Sequence, residues 1–325
     1  MMHHMSMRVV ASGWLLALVG CSEREMLAPM EATVMPTGWA TRASMPTARG
    51  SFAAATVNGV LYAVGGEAPF GTPLPTVEAY TQGNNRWTSK TPLPAARYHL
   101  NVGVIGNLLY AAGGLDVSRQ PTGTLFAYDA GTDTWTSKAS MPTAGACGAS
   151  GVIDDRLYVF TTDCDESALG ANPAFQRYDP ATDSWTELTL PTWGHYLPAG
   201  GAIGGKFYLA GGLFVTTTPI GNIGQNVEAY DPATDTWTTK AKAPFPLYQD
   251  AGAVLNGLLY VVGGDNGSGP VTSTEVYNPV TNSWRTLTGL STGRYSLGAG
   301  AINGKVYAVG GQAGTTQATN EAYTP

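Results

Sequence analysis

Charge is scarce in this chain: only 12% of its 325 residues are Asp, Glu, Lys or Arg. That is too few to clothe long solvated helices, and a helical protein is not expected. Basic residues are the scarcer sign, 17 against 23 acidic, and they form no run. Nucleic-acid affinity is dominated by Lys and Arg neutralising phosphates, so no nucleic-acid partner is expected. Histidine numbers four, and His3 and His4 stand at the extreme N-terminus. Cu(II) would accept the imidazole and phenolate of His99, His195, Tyr98 and Tyr196, but no third His completes such a set. Neither a metal nor a cofactor is expected. What the chain has instead is glycine, 42 residues, with many Thr and aromatics, the profile of short strands joined by turns. The length alone allows two domains, though all-β proteins of this size are often one.

Residues 1–20 carry the three parts of a secretion signal: basic Arg8, an apolar stretch from Val9 to Val19 broken by Ser12 and Gly13, and a small residue before Cys21. The stretch is too short to span a membrane as a stable helix. Its removal leaves 16 basic and 23 acidic side chains, a formal charge of −7. Leu18-Val19-Gly20-Cys21 resembles the lipobox of bacterial lipoproteins, in which the Cys is acylated and begins the mature protein. The resemblance implies an exported chain, held to the cell envelope by lipid on Cys21 and touching membrane through that anchor alone. Each buried methylene contributes ~0.8 kcal/mol, and the several chains of such a modification suffice for stable anchoring. Residues 21–38, without periodicity, are then a flexible tether.

From residue 39 onward the sequence repeats itself. Six segments align: Leu61-Tyr62-Ala63-Val64-Gly65-Gly66 and the stretches beginning at Leu109, Leu157, Phe207, Leu259 and Val306. A Trp stands 22 residues before each, at Trp39, Trp87, Trp135, Trp185, Trp237 and Trp284. Tyr80, Tyr128, Tyr178, Tyr230 and Tyr277 each stand seven residues before the next Trp, while Tyr323 has no Trp after it. The repeat is circularly offset, so that one strand of a blade comes first and its other three come last.

This combination of Trp, spaced Tyr and Gly-Gly, at periods of 47 to 52 residues, resembles the kelch repeat. The resemblance covers residues 39–325 and implies an all-β, six-bladed β-propeller of four-stranded antiparallel blades. The strand around Trp39 would close the ring on the strand ending at Tyr323. Small residues such as Phe52-Ala53-Ala54-Ala55 and Gly298-Ala299-Gly300-Ala301 suit innermost strands crowding the axis. Asn58-Gly59, Gly204-Gly205, Asn256-Gly257 and Asn303-Gly304 favour two-residue hairpins. Turns such as Asp179-Pro180 and Asp231-Pro232 read as turn chemistry rather than calcium ligands.

Antiparallel alternation opens the segment after each Trp and the loop after each Gly-Gly on one face. The loops vary, running 14, 14, 16, 18, 13 and 12 residues from the second motif position to the next Tyr. Binding residues often sit on such loops above a rigid scaffold. Ten residues after the Trp stand Arg49, Arg97, Gly145, His195, Leu247 and Arg294; one further on stand Tyr98, Tyr196, Tyr248 and Tyr295. Just after Gly-Gly come Glu67, Asp116, Asp163 and Asp265. Two readings follow. The Arg, Tyr and acids converge on a pocket for a polar ligand, or they tie neighbouring blades together.

Blade three departs from the pattern, with Thr161-Thr162 for Gly-Gly, Cys164 two residues on, and Cys147 at the start of its inner strand. With Asp154-Asp155 as the turn, Cys147 faces Thr162 and a Cys147–Cys164 disulfide is feasible, which an exported compartment permits. The expectation for the whole is a monomeric, non-catalytic binding scaffold that presents its loop face to a protein or glycan. The alternative is a sugar-active enzyme: six-bladed kelch propellers include sialic-acid mutarotases, and by that resemblance Arg97, Arg294 and Glu67 would supply cations and an acid or base.

Overall fold

The computed structural model describes residues 38–69, 71–164, 172–214, 222–246 and 248–325, all within the unit Pro36–Pro325. The segment of the signal, Cys21 and the tether up to residue 37 lie outside the described residues, as do residues 165–171, residues 215–221 and Leu247. Each sequence repeat becomes one antiparallel four-stranded sheet, and six such sheets form the blades of an all-β propeller. In blade one the strands run Ala53–Val57, Val60–Val64, Val77–Thr81 and Arg86–Lys90. Blades two to five follow over residues 101–138, 146–187, 199–239 and 251–286. Blade six combines Gly298–Ile302, Lys305–Val309 and Asn320–Thr324 with Gly38–Arg42, and Trp39 lies opposite Tyr323. Gly38, at the end of the expected tether, is already in that strand and pairs with Thr324.

Trp and Tyr recur because they bolt each blade to the next. The indole Nε1 of Trp87, Trp135, Trp185, Trp237 and Trp284 donates to the carbonyl of Ala43, Thr91, Ala139, Thr189 and Ala241 in the preceding linker, at 2.7–2.9 Å. Trp39 completes the circle on Thr288, also reaching Thr274 Oγ1. Tyr80, Tyr128, Tyr178, Tyr230 and Tyr277 donate to Asn85, Asp133, Asp183, Asp235 and Asn282, five residues on. The same side-chain oxygens accept the backbone N–H of Ala43, Thr91, Ala139, Thr189 and Ala241. One linker residue is thus held through both its N–H and its C=O, and each bond is worth about 1 kcal/mol net. The neighbouring Asp179 and Asp231 accept from Ala181 and Ala233 in their own turns.

The Gly-Gly pair is needed because carbonyls crowd it. At Gly65 and Gly66, with φ of 66° and 101°, an added Cβ would come within 2.6 Å of Arg97 O and 2.7 Å of Gly50 O. Blade three solves the same crowding differently. A Cβ on Gly145 would meet Thr161 Oγ1 at 2.3 Å, so the glycine has moved to the linker and the hydroxyl fills the space. The inner strand also bulges: Ala146, not Cys147, pairs with Thr162, and regular pairing resumes at Ala149 with Phe160. This corrects the simple register expected from the Asp154-Asp155 turn, because the bulge inserts one residue. Cys147 and Cys164 are joined by a disulfide with Cα atoms 5.7 Å apart.

Candidate functional site: the mouth of the axis

The segments entering the inner strands and those leaving Gly-Gly meet on one face. Gly50 bridges Glu67, Tyr98 bridges Leu115, Tyr196 bridges Leu213, Tyr248 bridges Asp265 and Tyr295 bridges Gln312. One residue beyond, Ser51, His99, Cys147, Leu197, Gln249 and Ser296 all adopt φ of 52–56°. Each N–H donates to the carbonyl of the same position in the preceding blade, at 2.7–3.2 Å, and Ser51 closes the circle on Ser296. Left-handed conformations cost non-glycine residues of order 1–3 kcal/mol each and persist only where the surroundings enforce them. Here the enforcement is a closed ring of six peptide hydrogen bonds around the axis.

Above this ring opens a cavity of about 840 Å³. Among the described residues its wall includes Tyr98, Tyr196, Tyr295, Glu67, Asp163, Arg119 and Gln312, with Ser51, His99, Gln249 and Ser296 of the ring below. Glu67 is held in place: Ser51 Oγ and Gln312 Nε2 both donate to its Oε1, at 2.7 and 3.2 Å, and Tyr295 O–H donates to Gln312 Oε1. That network crosses from blade one to blade six. Asp163 accepts from Asn172 at 2.6 Å. Burial, with help from Glu67 and Asp116 and against Arg119, holds the Tyr98 phenol above its ordinary pKa.

The other candidates lie elsewhere. Arg49 and Arg294 are fully buried and pair with Glu78 at 2.5 Å and Glu321 at 2.6 Å, each also donating to a carbonyl, Ala63 or Ala308. His195 is buried likewise, with Nδ1 2.7 Å from Gly211 O and Nε2 3.2 Å from Glu228. Burial pushes the Glu228 carboxyl up, but bonds from His195 and the Trp193 and Thr192 segment outweigh it and leave its pKa lowered. Arg97 donates to Thr122 and Ala96 within its own linker and loop. Asp116 and Asp265 accept from backbone N–H groups of their own loops, at Ser118 and Gln120 and at Gly267. Tyr248 forms its bridge to Asp265 but is not part of the cavity wall. Of the two readings of these residues, the pocket describes Glu67, Tyr98, Asp163, Tyr196 and Tyr295. Arg49, His195 and Arg294 fit neither reading: each is paired inside its own blade, with a carboxylate that stands two residues before the blade Tyr instead of after Gly-Gly.

Below the ring lies a second cavity of about 90 Å³, which shares Ser51, His99, Gln249 and Ser296 with the mouth. Cys147 and Leu197 of the ring also line it, and the six residues next in sequence to the ring, Phe52, Leu100, Gly148, Pro198, Asp250 and Leu297, complete its wall. Five of those six are apolar. Burial pushes the Asp250 carboxyl up to about 8, against the pull of the backbone N–H groups of Asp250 and Ala199, and pushes the His99 imidazole down to about 4. Among the described residues no three His, Cys, Asp or Glu side chains gather as metal ligands.

Six four-stranded blades carrying Trp, Tyr and Gly-Gly at fixed spacing, with the variable loops around one mouth of the axis, define a kelch-repeat β-propeller. The chain belongs to the Attractin/LZTR1 beta-propeller family, whose model matches residues 61–320. It is similar to Kelch-like protein 33 of Homo sapiens, 29% identical over 38% of this chain and 22% of that protein. An F-box/kelch-repeat protein of Arabidopsis thaliana is 37% identical over 35% of this chain and 29% of its own length. Kelch-like protein terF of Aspergillus terreus is 31% identical over 38% of this chain and 28% of its own. The matched stretch spans less than a third of each of these relatives.

Proposed function

We propose that this protein is a non-catalytic binding propeller, exported and lipid-anchored through Cys21, that receives part of a protein ligand in the mouth of its axis. The observation that carries the reading is the cavity of about 840 Å³, walled by Tyr98, Tyr196 and Tyr295 with the fixed acceptor Glu67. Rigid aromatic and polar groups converging on one concavity are the usual form of a recognition site. The sugar-isomerase alternative gains no support, since the cations assigned to it, Arg97 and Arg294, are committed to groups of their own blades.

A photocrosslinking side chain at Tyr295 in cells should capture a protein whose yield collapses on Tyr98→Ala with Glu67→Gln. The same probe at Asn58, in a turn of the opposite face, should capture none of it. Equal capture from both faces, or saturable binding to a glycan array in its place, would refute the reading. Radiolabelled palmitate incorporation lost in Cys21→Ser tests the anchor; unchanged incorporation rules it out.

A further inference from the structure

Asp250 is the anomaly of the axis. The equivalent position holds Phe52, Leu100, Gly148, Pro198 and Leu297 in the other five blades, so the repeat itself asks for an apolar or small residue. Asp250 keeps some exposure in the lower cavity, but its Oδ1 is cut off from solvent and has no hydrogen-bond partner. No Lys, Arg or His forms an ion pair with it among the described residues, whereas Glu78 and Glu321 each have an Arg and Glu228 has His195 Nε2 at 3.2 Å. A carboxyl oxygen shut off from water without a donor destabilises the fold, and departures of this kind concentrate at functional sites. The ring overhead offers no counter-charge, since its N–H and C=O groups are used up on one another.

We propose that the lower cavity is the seat of a primary ammonium group, a lysine side chain of the protein ligand, with Asp250 as its counter-ion. The proposal rests on the mouth reading above and names the chemistry at its base. The sign fits, because the mouth carries Glu67 and Asp163 against Arg119 in a chain of net charge −6. The size fits also: about 90 Å³ is small for a sugar ring or a peptide segment but suits an alkylammonium. Tyr98, Tyr196 and Tyr295 line the approach, and aromatic faces attract cations.

The test is a thermal-shift titration of the full chain with n-butylammonium at millimolar concentration, against n-butanol and equal sodium chloride. The ammonium should raise the Tm and the two controls should not. Asp250→Leu, which restores the residue type of the other blades, should raise the resting Tm by roughly 2–4 °C per kcal/mol gained and abolish the response. Retention of the response by Asp250→Leu, or no response in the parent, overturns the proposal. Comparing end-blocked Gly-Lys-Gly with cadaverine identifies the source: a stronger shift with the peptide supports a protein lysine, and a stronger shift with the diamine overturns that part. If Tyr295 crosslinking persists while every ammonium fails, this inference falls and the mouth reading stands.

Discussion

Glu78 in blade one and Asp250 at the foot of blade five each have a carboxyl oxygen withdrawn from water, but only Glu78 has a cation against it. Arg49 lies 2.5 Å away, and Thr47 O–H donates to the other oxygen. The arrangement recurs at Glu321 with Arg294, and His195 Nε2 stands 3.2 Å from Glu228 at the same place in blade four. At this place, two residues before the blade Tyr, three blades supply the buried acid with a partner of their own, but Glu275 of blade five has only the Thr286 hydroxyl on one oxygen and nothing on the other. What sets Asp250 apart from Glu275 is its place in a cavity wall, at a position where the other five blades carry no charge. The comparison separates scaffold from site more sharply than residue type does, since arginines and acids occur in both.

The comparison can be broken most forcefully at Arg49. Arg49→Met leaves Glu78 buried and unpaired and should cost about 3–5 kcal/mol in urea denaturation, while adding Glu78→Leu should recover most of it. A single variant as stable as the parent would put Glu78 in the same class as Asp250. Next in size is the pH dependence of stability. Asp250, raised from 3.8 to about 8, holds in the folded state a proton that the unfolded chain gives up, so stability falls as pH rises between about 4 and 8. His99, lowered from 6.5 to about 4, acts in the opposite sense: its contribution is complete above pH 6.5 and is lost as pH falls towards 4. The two oppose each other below pH 6.5 and leave a net decline between 6.5 and 8. Asp250→Asn should remove that decline, and a melting profile still falling across the window would show that another group is responsible. The smallest effect belongs to the bolts between blades. Tyr178→Phe, which deletes the bond to Asp183 at 2.6 Å, should cost about 1 kcal/mol and leave ligand capture at the mouth unaltered. Loss of capture in this variant would mean that scaffold and site are not separable.

The blades were legible in the sequence because their bonding is periodic. The strands, the hairpin turns and the joint between the Trp39 and Tyr323 strands all follow from spacings of Trp, Tyr and Gly-Gly. The interblade acceptors Asn85, Asp133, Asp183, Asp235 and Asn282 were equally periodic, five residues after each Tyr, but resemble ordinary turn residues beside Asp179 and Asp231. The peptide ring was not legible, since Ser51, His99, Cys147, Leu197, Gln249 and Ser296 share a backbone conformation and no side-chain property. For the candidate site, position alone misled. Arg49 and Tyr295 both stand just ahead of an inner strand, yet Arg49 turns into its blade towards Glu78, and Tyr295 belongs to the wall of the mouth. Asp250 could have been found by comparing the thirteenth residue after each Trp, where it alone is charged.

The peptide ring has one further consequence. Its six N–H groups and six C=O groups are spent on one another around a closed circle. A helix end or a phosphate-binding loop presents aligned amides that attract an anion whatever the side chains are. The collar therefore offers no free amide of its own to an incoming group, and the choice of sign falls to the side chains beside it, Glu67 in the mouth and Asp250 in the lower cavity.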